Sequence, residues 1–361
     1  MEPPIATDSP ITTNFALPFS IPPTDTNHTH TVVFLHGRGD TPRSFASSLH
    51  SSPDAEGRSL VEAFPSLKWV FPEPGTQMNQ WFDIWNVRDF TEREHVQAPG
   101  LRASVYGIRG IIEQEAAELG GRCDRIVLAG FSQGSATAVH TLLNLDVPSM
   151  PAADDALPRR LAAFLSFSAR MPFSGRNLAG TRAILRLDDV PTDADVLCNT
   201  PMLLEHCADD PLVLVRHGRI LRDTLKGFGA NVAWREYPDG GHWFNSPKGM
   251  EEAAAFLEKV LGIQRAAAAS SDAESSEAAP SEAASSEAAS SEAASSEAAS
   301  SEAASSGAAS PKAASSEARS PEATSPEAAS PKAASSEAAS PEATSPESAT
   351  MKGSPDALDL D

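Results

Sequence analysis

The sequence predicts an α/β protein: a mostly parallel central sheet with helices on both faces. Short, uninterrupted apolar runs alternate along the chain with longer segments whose apolar residues recur at helical spacing. Continuous apolar strands are typical of sheets that are buried on both faces, and alternation with helices favours parallel pairing. The predicted strands are 29–37, 66–74, 125–129, 161–169, 201–207 and 231–238. The predicted helices are 100–121, 135–143, 213–229 and 251–262.

The helix over 100–121 illustrates how each helix is predicted. Val105, Ile108, Ile112 and Leu119 recur at a spacing near that of one helical face, and two glycines follow at once. An apolar stripe at this spacing indicates an amphipathic helix, and glycine just beyond the last apolar residue is a common helix end.

The chain divides by composition into three parts. Residues 1–30 are rich in proline and threonine and are predicted to be extended, while 31–265 carry the globular pattern. Residues 266–361 hold 17 acidic and 4 basic residues, a net of −13 out of a total of −21, in an Ala/Ser/Glu/Pro repeat. A five-residue period turns about 140° per step on a helix and leaves no apolar face to pack. We therefore expect a disordered, low-complexity tail.

Composition also excludes several classes of protein. The acidic balance and the lack of a basic patch disfavour a nucleic-acid partner. The three cysteines match no metal-site spacing and no disulfide framework. The N-terminus lacks a basic start followed by an apolar run, and no apolar stretch is long enough to span a membrane. A cytoplasmic protein is expected, as a monomer or a homodimer.

The motif with the clearest chemistry is Gly130-Phe-Ser132-Gln-Gly134. It follows a predicted strand and opens a predicted helix, which is the setting of a nucleophile elbow. The chain must turn sharply there, so side chains at 130 and 134 would crowd the turn. The alternative is that Ser132 only caps the helix.

An acid and a histidine follow in the order that such a site requires. Asp210 precedes Pro211 at the end of the strand 201–207 and is favoured over its neighbour Asp209. Of the two later histidines, His242 lies in a glycine-rich loop after a strand, whereas His217 lies within a predicted helix and is assigned to packing or the surface.

These residues together predict acyl transfer. Ser132 would attack an acyl carbonyl, His242 would take its proton, and Asp210 would fix the imidazole tautomer. The backbone N–H of Gln133 and one from the HGRGD loop, most simply that of Arg38, would form the oxyanion hole. No metal or cofactor is required.

The blocks VVFLHGRGD, QWFDIWN, IVLAGFSQGS, HCADDPLV and YPDGGHWF occur in this order. They resemble the acyl-protein thioesterase / lysophospholipase-carboxylesterase family of α/β-hydrolases over about 31–262. The resemblance implies an α/β-hydrolase domain that cleaves esters or thioesters of acyl chains, and it supports the same triad and oxyanion donors. It also implies that the segment with Trp81 and Phe82 lies beside the substrate groove and that these two residues contact substrate; the alternative for Trp81 is packing in the core.

The sequence departs from the family pattern near the site. Arg38 stands where the family usually has an apolar residue, and a cation there could disfavour a lipid chain or attract an acidic group. The segment 165–172 lacks the usual aromatic-Leu-Pro ending. The chemistry is therefore better defined than the substrate, which is either an acylated protein or lipid or a small soluble ester. A non-catalytic scaffold that works through the repeat tail is the alternative from another class.

Overall fold

The computed structural model describes residues 15–267 except 26, 77 and 149–157. The chain divides into two units, Met1–Ala278 and Ala279–Asp361, and every described residue lies within the first. The predictions for the repeat tail therefore fall outside the described residues, apart from Ala266 and Ala267.

Within these residues seven strands form one sheet in the order β1-β3-β2-β4-β5-β6-β7. The strands are β1 (Ala16–Ile21), β2 (His30–Leu35), β3 (Leu67–Glu73), β4 (Ile126–Phe131), β5 (Ala163–Phe167), β6 (Met202–Cys207) and β7 (Val232–Tyr237). Only the pairing of β1 with β3 is antiparallel, and all the other neighbours are parallel. The fold class predicted from the sequence is confirmed.

Helices cover both faces of the sheet. They are α1 (Pro42–His50), α2 (Leu60–Ala63), α3 (Gln97–Glu118), α4 (Gln133–Leu143), α5 (Leu178–Ala183), α6 (Asp195–Asn199), α7 (Val215–Gly227) and α8 (Lys248–Leu261). Side chains alternate between the faces of a strand, so Val33 and Leu35 of β2 join the core beneath α3 and α4, while Val32 and Phe34 join the core beneath α1 and α8. The β2 strand is therefore buried on both faces, which explains its continuous apolar sequence.

Strand β1 lies in the N-terminal segment that the sequence predicts only to be extended. It contains Pro18, which cannot donate to a ladder and is tolerated at the edge of a sheet. The register of β1 shifts between Ala16 and Phe19, at the proline. The proline therefore obscures this strand in the sequence and also restricts it to the edge.

Glu205 of β6 is a carboxyl inside the core. Glu252 and Arg235 lie close enough to act on it electrostatically and the Tyr237 hydroxyl lies near it, yet no described residue meets hydrogen-bond geometry with either of its oxygens. Burial, followed by the Glu252 charge, raises the pKa of Glu205 well above its ordinary value. Folding raises the pKa of Glu205, so the protein is more stable at acid pH, where this carboxyl is protonated. That contribution to the free energy of unfolding is lost as the pH rises through the folded-state pKa.

Glu205→Gln is therefore expected to stabilise the protein by about 1–2 kcal/mol at pH 8 and by much less at pH 5, since glutamine carries no charge to desolvate. Thermal unfolding of both chains at the two pH values measures the difference. Glu236→Gln is the matched control, because Glu236 forms an ion pair with Arg219 and its hydrogen bond with that residue lowers its pKa. An equal gain for Glu205→Gln at both pH values would contradict the prediction.

Candidate active site

Ser132 lies on the sharp turn between the end of β4 and the start of α4. Its backbone has φ 53° and ψ −118°, which is unusual for a residue other than glycine. The backbone N–H of Ser132 donates to the carbonyl of Phe167 at 2.9 Å, at the end of the neighbouring strand β5. This strained turn presents the side chain above the carboxyl edge of the sheet, where α/β proteins bind their ligands.

The two glycines of the motif are required by close approach of the backbone. A Cβ at Gly130 would lie 2.4 Å from Cα of Ser135 in the first turn of α4. A Cβ at Gly134 would lie 2.3 Å from the carbonyl oxygen of His36 and 2.5 Å from that of Leu35. Both neighbours are backbone atoms, which cannot move aside as a flexible side chain can. The crowding inferred from the pentapeptide thus has an identified cause.

Ser132, His242 and Asp210 form a continuous hydrogen-bonded chain. The Ser132 Oγ lies 2.9 Å from Nε2 of His242, and Nδ1 of the same ring lies 2.7 Å from Oδ2 of Asp210. A carboxylate only accepts, so Nδ1 carries the proton and Nε2 is free to accept one from the serine. The arrangement can remove a proton from the hydroxyl of Ser132.

The loop after β6 fixes the carboxylate of Asp210. Its Oδ1 accepts from the backbone N–H groups of Leu212 and Val213, each at 2.9 Å. His206 donates to the Val213 carbonyl at 2.6 Å and lies 3.4 Å from Oδ2 of Asp210. Burial alone would raise the pKa of Asp210, but hydrogen bonding to His206, His242 and the Val213 N–H outweighs it and holds the pKa below its ordinary value. Asp210 is therefore ionised at neutral pH.

The two residues left as alternatives in the sequence lie elsewhere. Asp209 accepts from the backbone N–H of Gly241 at 2.8 Å and so holds the loop that carries His242. His217 packs edge-on against Phe90, with ring centroids 5.6 Å apart, and lines the cavity described below. Within the described residues, His217 forms no hydrogen bond with Ser132.

The backbone N–H groups of Arg38 and Gln133 have no acceptor in the part of the chain that the structure describes, and both residues line the cavity at Ser132. The Gln133 N–H lies in the first turn of α4, where helix donors have no partner within the helix. These are the two donors that the sequence predicts for an oxyanion hole.

The side chain of Gln133 has a role that the sequence did not reveal. Its Oε1 accepts from the backbone N–H of Trp81 at 3.0 Å, and its Nε2 donates to the carbonyl of Phe82 at 2.7 Å. The Trp81 indole donates in turn to the carbonyl of His36 at 2.8 Å. The segment Trp81-Phe82-Asp83, here called the WFD segment, is therefore tied to Gln133 and to the loop after β2, which carry the two predicted oxyanion donors.

Trp81 and Phe82 do not line the cavity, contrary to the prediction that they contact substrate. Their side chains are only 1% and 2% exposed and pack in the core beneath α3. Tryptophan and phenylalanine bury large apolar areas, and here the core accepts both rings completely. Their contacts position the loops around Ser132.

A cavity of about 670 Å³ opens over Ser132, Gln133 and His242. The apolar side chains in its wall include Ile84, Val87, Phe90, Phe131 and Leu212. It is also lined by four arginines, Arg38, Arg88, Arg170 and Arg216. The described residues contain no cluster of His, Cys, Asp and Glu that could hold a metal ion, and no helix among them is long and apolar enough to cross a membrane.

The chain is similar in sequence to known proteins. The pattern of the phospholipase/carboxylesterase family matches residues 18–153. Acyl-protein thioesterase 1 of Gibberella zeae is 30% identical over 252 residues, covering 66% of this chain and 94% of that protein. Carboxylesterase SOBER1 of Arabidopsis thaliana is 25% identical over 213 residues, covering 58% of this chain and 82% of that protein.

A solved structure extends the comparison at the level of fold. The crystal structure of esterase PE8 matches with a TM-score of 0.50 and 22% identity, covering 68% of this chain and 98% of that chain. At this identity the likeness shows the α/β-hydrolase architecture alone. The sequence relatives place the chain in the acyl-protein thioesterase and phospholipase/carboxylesterase family of α/β-hydrolases, as a carboxylic-ester or thioester hydrolase.

Proposed function

We propose that the chain cleaves its ester or thioester substrate through a Ser132-His242-Asp210 triad and an acyl-enzyme intermediate. The observation that carries the proposal is the hydrogen-bonded chain from Ser132 Oγ through the His242 ring to Asp210, with distances of 2.9 and 2.7 Å. These distances lie within the range that proton transfer requires.

The reaction proceeds in two halves. Ser132 Oγ attacks the acyl carbonyl while Nε2 of His242 takes the hydroxyl proton, and the resulting imidazolium is stabilised by Asp210. The tetrahedral intermediate collapses, the alcohol or thiol leaves with the proton from His242, and the acyl group remains on Ser132. Water then gives its proton to His242 and attacks the acyl-enzyme, which releases the acid and restores Ser132.

Charge develops on the carbonyl oxygen in both halves. The backbone N–H groups of Arg38 and Gln133 are the donors that we assign to it, because neither has an acceptor among the described residues. Fixed, unpaired donors need no reorganisation when the oxyanion forms, and losing one such donor typically costs about 10²–10³-fold in turnover.

The substrate is an acyl compound whose chain or leaving group occupies the cavity over Ser132. Apolar walls such as Phe90, Phe131 and Leu212 suit hydrocarbon. By name, one relative acts on acyl-proteins and another is a carboxylesterase. We propose an acyl-protein thioesterase or carboxylesterase type of activity in the cytoplasm, with no metal or cofactor, by a monomer or a homodimer.

Covalent labelling by a fluorophosphonate probe tests the proposal, since the probe captures only an activated serine. The full chain should be labelled, and Ser132→Ala should not be. Ser135→Ala is the matched control. Ser135 lies about one helical turn after Ser132, and its hydroxyl donates to that of Ser166 on β5, so labelling should persist. An unlabelled but folded full chain would overturn the proposal.

The same probe tests the proposed division of the chain into a catalytic unit and a tail. The backbone of Ala266 donates to the carbonyl of Ala63 and accepts from the guanidinium of Arg58. The tested chain should therefore end at residue 267, beyond the boundary at 265 drawn from composition. Labelling equal to that of the full chain makes residues 268–361 dispensable for the chemistry.

A further inference from the structure

The cavity over Ser132 is cationic, although the whole chain carries a formal charge of −21. Four arginines line it: Arg38, Arg88, Arg170 and Arg216. Asp40 is the only carboxylate among the described residues that line it, since Asp210 of the proposed triad does not reach its wall. The residues that line the cavity therefore carry a net positive charge, unlike the chain as a whole.

None of these four guanidiniums forms an ion pair with a carboxylate in the described part of the chain. The hydrogen bonds that their nitrogens do make go to neutral amides: Arg38 Nε donates to Gln80 Oε1 at 2.9 Å, and Arg170 Nη2 donates to Gln97 Oε1 at 2.7 Å. Buried charges are ordinarily paired, as Arg109 is with Asp189 elsewhere in this fold. Arg170 is the buried member of the four and therefore departs from this pattern, whereas Arg38, Arg88 and Arg216 are exposed.

Arg170 is the arginine held most firmly. Arg170 lies just after β5 and is only 6% exposed. Its guanidinium packs 4.2 Å from the centroid of the Phe90 ring and 5.6 Å from that of the Phe82 ring. Packing over rings fixes the plane of a guanidinium and leaves its edge as the donor surface. The edge beyond Gln97 is available to a ligand in the cavity.

The charge of Arg170 persists at neutral pH. Burial lowers its pKa to about 10, and the Glu94 carboxylate acts in the opposite direction. Glu94 forms no ion pair with Arg170 within the described residues, and its Oε1 accepts from the backbone N–H of Phe173 at 2.7 Å. A desolvated cation without an anion at contact distance favours an oxyanion from outside the protein.

We propose that Arg170 binds a carboxylate of the substrate, so that this hydrolase acts on esters or thioesters that carry a carboxylate in the acyl chain or in the leaving group. The inference rests on the proposed function of Ser132, because the two groups line the same cavity. A planar carboxylate matches the guanidinium edge with two parallel hydrogen bonds. The exposed Arg38, Arg88 and Arg216 would attract such a substrate to the mouth.

Paired substrates that differ in one charge test this specificity. In the acyl arm, p-nitrophenyl hydrogen adipate is compared with p-nitrophenyl hexanoate. In the leaving-group arm, 3-carboxyphenyl hexanoate is compared with 3-carbamoylphenyl hexanoate. The full chain should prefer the acid by about tenfold to a hundredfold in kcat/KM in one arm, since a hydrogen bond between ionised groups has roughly that effect. The arm that shows the preference identifies the position of the carboxylate.

Substitution of Arg170 should remove the preference. Arg170→Gln is expected to bring the acid-to-neutral ratio close to one, mainly through KM of the acid, while Arg170→Lys should retain part of it as a single donor. Arg182→Gln is the matched control: that arginine is also buried but donates to the carbonyls of Leu143 and Pro191 and does not line the cavity. The control should leave the ratio unchanged.

A measurement on the unaltered chain applies even if Arg170→Gln fails to fold. Adipate should inhibit hexanoate hydrolysis competitively, and adipamide at the same concentration should not. Ratios near one in both arms, a preference that survives Arg170→Gln, or equal inhibition by adipate and adipamide would overturn the inference. A chain labelled at Ser132 that hydrolyses none of the four substrates overturns it and leaves the proposed function standing, whereas loss of labelling as well overturns both.

Discussion

His242→Ala should lower kcat/KM by about 10⁴–10⁶-fold, the range found when the general base of a serine triad is removed. Nε2 of His242 is the acceptor 2.9 Å from Ser132 Oγ, and alanine leaves no group there to take the proton. The same ring would also protonate the leaving group, so both halves of the reaction are lost together. Steady-state hydrolysis of p-nitrophenyl hexanoate measures the decrease.

The matched control is His217→Ala. Its ring lines the same cavity and packs against Phe90, but its pKa is lowered by burial and by the nearby Arg216 and Arg170. We expect a change of less than about tenfold, through packing of the cavity wall. A larger loss from His217→Ala than from His242→Ala would reverse the assignment of the general base.

The nucleophile elbow could be predicted from the sequence because all its requirements are local. A strand, a glycine, a serine, a second glycine and a helix occupy consecutive positions, and each has a backbone reason. The structure adds the atoms responsible, such as the carbonyl oxygen of His36 that faces Gly134. Asp210 and His242 could also be predicted, since both follow strands whose ends meet at one edge of the sheet.

The cationic cavity could not be predicted in the same way. Arg38, Arg88, Arg170 and Arg216 lie on four separate loops or helix starts and form no basic run. Charge counts along the chain average them with the surrounding acids. Only the packing of the loops brings these guanidiniums together.

The structure differs from the sequence predictions in two further places: helix α1, which was not predicted, and the rings of Trp81 and Phe82, which lie in the core. Helix α1 has a recognisable start, with Thr41 accepting from the backbone N–H of Ser44 and Pro42 at the first helical position. By contrast, nothing in the WFD block indicates which way its rings face. The Gln133 side chain, which is distant in sequence, accepts from the Trp81 N–H and donates to the Phe82 carbonyl, and both rings lie in the core.

Asp210→Asn should lower kcat by about 10⁴-fold with little change in KM. The Asp210 carboxylate accepts from Nδ1 of His242 and thereby holds the tautomer in which Nε2 accepts from Ser132. An asparagine amide can donate to Nδ1 instead, which transfers the ring proton to Nε2 and blocks proton abstraction. It also provides no negative charge for the imidazolium. Burst-phase and steady-state hydrolysis of p-nitrophenyl hexanoate separate the effect on kcat from that on KM.

Asp209→Asn distinguishes this mechanism from a general loss of negative charge near the loop. Asp209 is the adjacent acid, but within the described residues its carboxylate accepts from the backbone N–H of Gly241 alone, and an amide oxygen can replace that interaction. Its substitution should change kcat by less than about tenfold. If both variants lost activity equally, the field of the two acids, rather than the tautomer of His242, would control the rate. The contrast therefore decides whether Asp210 acts through its direct hydrogen bond to the ring.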